Sequence, residues 1–314
     1  MTTRTGWLED RLNGRGDPLV IDGGMGTQLE KVGVAMHGKV WSGEAVLSKP
    51  DVVQRVHEDF IRAGAEVIIT NTFATGRHQL EPGGLGEHVA TINTNAVRLA
   101  QRARDNAAEC PVAILGSICE WAFMEASEWN TPEAVGKSVR EQARLLHAAG
   151  VDALAIEMCE RVEFSIATVE AAMETDLPLW IGVSAQRHKG ASEIATFSFA
   201  DRGLDELVGA LANYPAMAMN IIHTPVPDVA ETLGIIRQHW SGPVGVYPES
   251  GFFSMPNWHF VDVIAPEALA EAAQGWVRDG VRMVGGCCGL GPEHIAALCR
   301  AFRRDGAESA LREG

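Results

Sequence analysis

Short apolar runs alternate along the chain with longer segments in which apolar residues recur at helical spacing. Apolar runs that predict buried strands lie near residues 18–23, 66–71, 111–117, 153–158, 179–184, 216–221, 243–248 and 281–286. Segments with helical periodicity lie between and after them, near residues 49–63, 87–107, 132–148, 160–174, 202–212, 227–239, 266–279 and 292–304. Continuous apolar strands that alternate with amphipathic helices are typical of a parallel sheet covered by helices.

Eight strands, each followed by a helix, predict a single (β/α)8 barrel, the TIM-barrel fold of the α/β class. Residues 62–69, 148–155 and 278–284 repeat one unit, in which a helix end is followed by a glycine and a short apolar strand. A doubly wound sheet is the alternative, although it rarely needs so many regular units. No linker or low-complexity stretch interrupts the pattern, so we expect one domain over residues 1–314.

The composition excludes some classes of partner. A net charge of −15 argues against nucleic-acid binding, because phosphates require a basic surface. The polar start of the chain lacks the apolar segment of a secretory signal, and no apolar run approaches a membrane span in length. Six cysteines in such a chain are expected to be reduced thiols. We therefore expect a cytoplasmic protein without membrane partners; its oligomeric state, including a homo-oligomer, stays open.

Polar residues concentrate where the predicted strands end. In a (β/α)8 barrel the carboxyl ends of the strands form the face that carries the active site. The strand ends carry Asp22-Gly23-Gly24, Asn71, Ser117 with Cys119, Glu157, Asn220, Tyr247 with Glu249, and Cys287-Cys288. Packing alone does not predict this concentration, so we expect the active site at this face.

The adjacent pair Cys287-Cys288, flanked by Gly285-Gly286 and Gly289, is the strongest chemical signal in the sequence. Two thiolates supply half of a tetrahedral zinc site. The glycines permit turns in which both sulfurs face one centre, whereas neighbours in a regular strand face opposite sides. The pair alone leaves two alternatives open beside a metal site, namely two small buried cysteines or a vicinal disulfide.

Further motifs fall in a fixed order: residues 22–29 (DGGMGTQL), Trp41-Ser42, residues 57–64, Asn71-Thr72-Phe73, Glu157, Val246-Tyr247-Pro248 and residues 285–289 (GGCCG). Together they resemble the homocysteine S-methyltransferase family, which includes betaine–homocysteine methyltransferase. The resemblance implies a (β/α)8 barrel and an S-methyltransferase of methionine biosynthesis in which three cysteines bind zinc. The acceptor thiol, with homocysteine the leading candidate, takes the remaining zinc position and attacks a methyl group on a cationic donor.

The resemblance also assigns roles to individual residues. Cys287 and Cys288 match two of the three zinc ligands. The resemblance also implies which residues hold the acceptor. Carboxylates would bind the acceptor's ammonium group, and backbone N–H groups would bind the acceptor's carboxylate. The residues implied lie at strand ends: Asp22, Gly23, Gly24, Glu157 and Asn220. The alternatives are a turn-capping role for Asp22 and a salt bridge for Glu157.

The sequence departs from the family pattern at the end of strand 6, where Ile221 occupies the position of the third cysteine. His223 could replace it, since imidazole is a good zinc ligand. Cys119 or Cys159 could contribute from other loops, or the zinc site could be altered or lost. A second departure is Glu249, which stands where the family often has asparagine; this acid could hold a cation, change the acceptor, or lie exposed in a loop.

Aromatic residues follow several of the predicted strands. Trp41, Trp121 and Phe123 are expected to face a sulfonium or quaternary ammonium donor, because aromatic rings attract such cations. The alternative is that these rings cover the barrel mouth or form a subunit contact. The sequence thus predicts a zinc-dependent S-methyltransferase, beside two other hypotheses: a divergent member with another acceptor or no zinc, and a catalytically silent ligand-binding barrel.

Overall fold

Eight parallel strands form the centre of the protein in the computed structural model, which describes residues 6–36, 38, 40–121, 128–254 and 259–303. The strands are β1 (Leu19–Val20), β2 (Val67–Ile69), β3 (Ala113–Cys119), β4 (Ala153–Cys159), β5 (Leu179–Val183), β6 (Ala218–Pro225), β7 (Val244–Glu249) and β8 (Met283–Val284). Hydrogen-bonded neighbours follow the order β1-β8-β7-β6-β5-β4-β3-β2. A parallel bridge between Ile21 and Val67 joins β1 to β2. The predicted barrel is therefore confirmed.

Helices cover the outside of this barrel. They are α1 (Gly6–Asn13), α2 (Met25–Lys31), α3 (Ala45–Ser48), α4 (Pro50–Arg62), α5 (Arg77–Leu80), α6 (Val89–Ala107), α7 (Pro132–Ala149), α8 (Val162–Met173), α9 (Leu204–Leu211), α10 (Val229–His239), α11 (Pro266–Arg278) and α12 (Pro292–Phe302). The eight predicted helices correspond to α4 and α6 to α12. The other four are short, and a helix of one or two turns presents too few residues to show a clear period. No helix in the described part of the chain is long and apolar enough to cross a bilayer.

Three neighbouring strands around the closing point of the barrel are shorter than predicted, since β1 and β8 contain two residues each and β2 contains three. Beyond them the chain remains joined by irregular backbone hydrogen bonds. Ile21 N donates to Val284 O at 2.8 Å, and Gly286 N donates to Asp22 O at 3.0 Å. These bonds fix the end of strand 1 beside the glycine-rich turn that follows β8.

Two apolar layers surround the barrel strands, and among the described residues one end of the barrel is filled by apolar side chains. Outward strand residues such as Ile114 and Ile181 pack against the helices, while inward residues such as Trp180 fill the barrel with Leu8 and Leu12 of α1. Because α1 inserts its leucines into this inner cluster, the amino-terminal end of the barrel is plugged. Any cavity on the barrel axis must therefore open at the carboxyl ends of the strands.

Candidate active site and metal centre

A cavity of about 280 Å³ lies at the carboxyl ends of the barrel strands. It gathers most of the predicted site residues into one space. Those that line it are Asp22, Gly23, Gly24, Trp41, Trp121, Glu157, His223, Cys287 and Cys288. Phe123 lies outside the described residues. The cavity is thus the place where the predicted metal ligands and the predicted acceptor groups meet.

Cys287 and Cys288 lie in a tight turn that backbone hydrogen bonds attach to the end of β7. Cys287 N donates to Pro248 O at 2.8 Å, and Ser250 N donates to Cys288 O at 3.1 Å. Gly289 adopts a φ of 83°, and a Cβ atom there would lie 2.1 Å from Ser250 O. Only glycine fits both the left-handed conformation and this close approach. The turn therefore depends on the glycine that the sequence places directly after the cysteines.

The two sulfurs and the His223 imidazole form a compact set of ligand atoms, all within 4.8 Å of one another. Cys287 Sγ lies 3.6 Å from His223 Nδ1 and 4.0 Å from Cys288 Sγ. Zinc–sulfur bonds of about 2.3 Å and zinc–nitrogen bonds of about 2.0–2.1 Å in a tetrahedron place sulfur and nitrogen about 3.6 Å apart, and two sulfurs about 3.8 Å apart. The spacing of the three groups fits a zinc ion.

His223 reaches this set because strand β6 departs from regular alternation. Ile221 packs in the outer layer and Ile222 in the inner one, so a regular strand would direct residue 223 outward. Instead, the β6–β7 register shifts between Ile222 and Pro225, and His223 adopts a φ of 47°. This irregularity turns the imidazole into the cavity.

The expectation that position 221 is the third ligand position needs a correction. Ile221 is fully buried among apolar residues of the outer layer, which pack against the helices. A side chain at this position faces away from Cys287 and Cys288, because successive strand residues point to opposite sides of the sheet. The structure instead brings His223, two residues later, to the cysteine pair.

Cys119 and Cys159, considered as replacement ligands, do not join the set of ligand atoms found among the described residues. Both are buried in β3 and β4, and Cys119 Sγ accepts a hydrogen bond from Trp121 N at 3.2 Å. Burial raises the pKa of both thiols well above the usual range, which favours the neutral form. Cys119 and Cys159 are therefore interior packing residues. The pair Cys287-Cys288 is also free of a vicinal disulfide.

Asp22 and Glu157 bring two buried carboxyl groups to the cavity wall. Asp22 Oδ2 accepts a hydrogen bond from Ile69 N at 2.9 Å, and Glu157 Oε2 accepts one from the Ser117 hydroxyl. Neither forms an ion pair with a described lysine or arginine, so the salt-bridge alternative for Glu157 is not supported by this part of the chain. The capping alternative for Asp22 is not supported either, because its bond goes to strand β2.

Burial dominates the electrostatics of both carboxyl groups. It raises the pKa of Glu157 to about 7, although the Ser117 hydrogen bond opposes this effect. Burial also raises the pKa of Asp22 well above its usual range, and the nearby Glu157 charge adds to the increase. Two carboxyl groups that resist ionisation together are well suited to a ligand that carries a positive charge.

Gly23 and Gly24 line the cavity, but the Gly24 N–H group is already used, since it donates to Leu290 O at 3.0 Å. A Cβ atom on Gly24 would lie 2.4 Å from Cys287 O, and one on Gly23 would lie 2.2 Å from Leu290 O. Both glycines therefore let the end of strand 1 pack directly against the cysteine turn. The Gly24 N–H group is thus bonded within the protein, and a role for the N–H groups near Gly23 and Gly24 in holding the acceptor carboxylate stays a prediction.

Asn220 is fully buried in β6 and lies below the cavity, outside its lining. A Cβ atom on Gly245 of the neighbouring strand would lie 2.3 Å from its Oδ1 atom. Among the described residues, neither amide atom has a hydrogen-bond partner. Asn220 therefore lies in the barrel interior, outside the cavity lining, and a role in substrate binding remains a proposal.

Aromatic side chains form part of the cavity wall. The Trp41 indole packs closely on Gly26, and a Cβ atom on Gly26 would lie 2.4 Å from the indole ring. The Trp41 and Phe73 rings meet in an edge-to-face arrangement, with ring centroids 5.9 Å apart. Sequence reasoning missed Phe197 and Met158, which also line the cavity. Phe197 follows a short hairpin that has no motif, and Met158 owes its orientation to a φ of 55° at a strand irregularity.

Comparison with known proteins agrees with this geometry. The family model described as homocysteine S-methyltransferase matches residues 19–302. Homocysteine S-methyltransferase YbgG of Bacillus subtilis (strain 168) is 27% identical over 308 residues, covering 91% of this chain and 95% of that protein. The S-methylmethionine–homocysteine S-methyltransferase BHMT2 of Pongo abelii is 27% identical over 296 residues, covering 90% of this chain and 78% of that protein.

Among solved structures, the metallated form of the homocysteine methyltransferase MmuM from Escherichia coli superposes with a TM-score of 0.75 at 25% identity. The match covers 94% of this chain and 99% of that one. The family model, the relatives and the fold agree over nearly the whole length of the sequence. The chain belongs to the homocysteine S-methyltransferase family.

Proposed function

We propose that this protein transfers a methyl group from a sulfonium or quaternary ammonium donor to the thiol of homocysteine, with zinc held by Cys287, Cys288 and His223. The observation that carries the proposal is that these three groups line the same cavity as the Asp22 and Glu157 carboxyl groups. A homocysteine molecule carries both a thiol and an ammonium group, so it can engage both ends of this cavity at once.

The metal ligands fit zinc in type and spacing. Thiolates and imidazole are the ligands that zinc prefers, and three protein ligands leave one position for a substrate. Zinc bound there would act as a Lewis acid that favours loss of the acceptor's thiol proton near neutral pH. Cys287 and Cys288 hold their positions through the backbone bonds to β7, and His223 through the irregular end of β6.

The acceptor's ammonium group is assigned to Asp22 and Glu157. Both carboxyl groups are buried, and a cation between them would relieve their mutual repulsion and the cost of burying their charge. Ser117 and Ile69 N hold the two carboxyl groups in place through hydrogen bonds. Asn220 would support this end of the site from below.

The donor is assigned to the aromatic wall of the cavity. Trp41 and Trp121 line the space, and Phe123 is the third aromatic residue proposed for this role. Aromatic faces attract onium groups by cation–π interaction, which favours a positively charged methyl donor. The name of the BHMT2 relative includes S-methylmethionine, a sulfonium compound, which makes this compound the first donor to test.

The proposed reaction forms methionine, so we place the protein in methionine biosynthesis. We place it in the cytoplasm, because its six cysteines are free thiols and a zinc site of this type needs reduced sulfur. Its proposed partners are small molecules, and its state as a monomer or homo-oligomer stays open.

The test combines metal content with a donor screen. Purified protein should contain close to one zinc per chain and form methionine from homocysteine with S-methylmethionine or betaine. Cys287→Ala should lose methyl transfer and most of the zinc, because one of three ligands is gone. Cys299→Ala, a change of a buried cysteine on α12 that does not line the cavity, is the matched control and should keep both. A Cys287→Ala protein that keeps full zinc and full activity would refute the proposal.

A further inference from the structure

Phe197 is an aromatic residue of the cavity wall that lies outside all the sequence motifs. Its side chain is partly buried, and its ring centroid lies 4.5 Å from that of the His223 imidazole. The two rings are inclined at 56°, so the imidazole does not stack flat on the phenyl face. Phe197 thus contacts a proposed metal ligand and lines the cavity at the same time.

Backbone contacts fix this ring beside the end of β6. Phe197 directly follows a short antiparallel hairpin at residues 185–196, which comes after β5. Phe197 N donates to Ser184 O at 3.0 Å, at the base of this hairpin. Ala185 N donates to Thr224 Oγ1 at 3.1 Å, and Thr224 is the residue after the imidazole. The hairpin therefore connects the phenyl ring to the strand end that carries the proposed ligand.

A buried carboxyl group lies on the same side of the cavity. Glu160 is 3% exposed, and its Oε1 atom has no hydrogen-bond partner among the described residues. The carboxyl group interacts with Ser198, the neighbour of Phe197, and with the charge of His223. Burial raises the pKa of Glu160, so a cation on this side would stabilise its ionised form. The surroundings of Phe197 therefore favour a positively charged ligand.

Methyl transfer places a cation close to this ring. In the proposed function, the acceptor thiolate occupies the open metal position beside His223. Reacting atoms lie about 3–3.5 Å apart before transfer, so the onium centre that carries the methyl group also lies near the metal ligands. A cation within about 6 Å of a ring centroid is attracted by the ring. Among the ring pairs of the described residues, Phe197 with His223 is the one that includes a proposed metal ligand.

Resting on the proposed function, we infer that the Phe197 ring binds the onium group of the methyl donor and thereby selects for charged donors. During transfer, the acceptor sulfur forms a bond to the methyl carbon as the donor's bond to that carbon breaks. The electron pair of the broken bond stays on the donor's sulfur or nitrogen, which becomes neutral. The ring therefore holds the donor more strongly than the product, so its loss should weaken donor binding more than it slows the chemical step.

Steady-state kinetics with S-methylmethionine and betaine at saturating L-homocysteine test this inference. Phe197→Leu keeps an apolar side chain but removes the aromatic face, so KM for the donor should rise about 5–30-fold, the ratio to which cation–π energies correspond. The value of kcat should change by less than about threefold. Phe197→Tyr keeps a ring, so its donor KM should stay within about threefold of the unmodified protein. Phe199→Leu alters an aromatic residue of the same loop that does not line the cavity, and this matched control should leave the donor KM unchanged.

A second series separates the cation–π interaction from simple packing. Incorporation of mono-, di- and trifluorinated phenylalanine at position 197 withdraws electron density from the ring face at nearly constant size. The logarithm of the donor KM should therefore rise stepwise with the number of fluorine atoms. A donor KM that stays constant across the fluorinated series, or that is equal in Phe197→Leu and Phe199→Leu, would overturn the inference. If the unmodified protein transfers no methyl group from either donor, the proposed function itself fails, and with it this inference.

Discussion

At the residue scale, the His223 imidazole is held between Cys287, Glu249 and the Phe197 ring, whose centroid lies 4.5 Å away. A left-handed backbone costs a residue other than glycine about 1–2 kcal/mol. Such strain persists only where the surrounding contacts impose it, and it concentrates at functional sites. The conformation of His223 is thus a physical reason, independent of its chemistry, to assign it to the site.

His223→Asn tests this assignment without adding backbone strain, because asparagine tolerates a positive φ. The amide is a poor zinc ligand, so zinc affinity should fall by about 100-fold, the upper end of the losses found around metal sites. His223→Cys is the conservative partner and should keep zinc, since a thiolate replaces the imidazole. Chelator competition measures both variants. Unchanged affinity in His223→Asn would remove His223 from the metal site.

If Glu157 binds the acceptor as proposed, its titration makes homocysteine binding sensitive to pH. Burial raises its pKa to about 7, so the group becomes protonated as the pH falls through that value. An ammonium group binds the ionised form, so kcat/KM for homocysteine should rise between pH 6 and 8, by about tenfold per pH unit on the acid side. Glu157→Gln should lower kcat/KM and remove this dependence. A Glu157→Gln profile identical in shape to that of the unmodified protein would contradict the assignment.

At the element scale, the end of β6 decides which side chain reaches the cysteine turn. The register shift between Ile222 and Pro225 interrupts the inward and outward alternation that holds for residues 218–222. Irregularities of this kind often redirect a side chain beside an active site. The proposed metal centre therefore depends on the paired ends of β6 and β7 together with the turn after β8.

A cysteine at position 221 tests the direction of this strand. In the double variant His223→Asn with Ile221→Cys, the new thiol should face the helices, so zinc affinity should stay as low as in His223→Asn alone. The single variant His223→Cys, which carries the same thiol two residues later, is the positive control. Recovery of zinc binding in the double variant would show that residue 221 can face the cavity.

Helix α1 has a different role, because it plugs the far end of the barrel. Leu8 and Leu12 are both buried in the inner cluster. Leu8→Ala and Leu12→Ala should each lower the free energy of unfolding by about 2–5 kcal/mol, through lost burial and a new cavity. Denaturant titration measures the change, and the exposed Glu9→Ala should stay within about 0.5 kcal/mol. Leucine variants as stable as the Glu9→Ala control would contradict this role.

At the scale of the whole molecule, the barrel brings together residues that lie far apart in sequence. Asp22 follows β1, Glu157 lies in β4, His223 in β6, and the cysteine pair follows β8, yet all line one cavity. Because parallel strands all end at the same face, the predicted topology also predicted this convergence. In the described part of the chain, the plugged opposite end leaves this face as the accessible end of the barrel axis.

The sequence by itself determined the fold and the face of the barrel at which the candidate site lies. Apolar periodicity, helix-ending glycines and the order of motifs depend on neighbouring residues, and they located eight strands and the cysteine pair correctly. The structure alone decided which third group meets that pair and that Gly24 N bonds to Leu290 O. These outcomes depend on a strand irregularity and on contacts between segments more than 60 residues apart, such as His223 and Cys287. Local sequence patterns do not encode side-chain direction at such points, because packing between distant segments sets it.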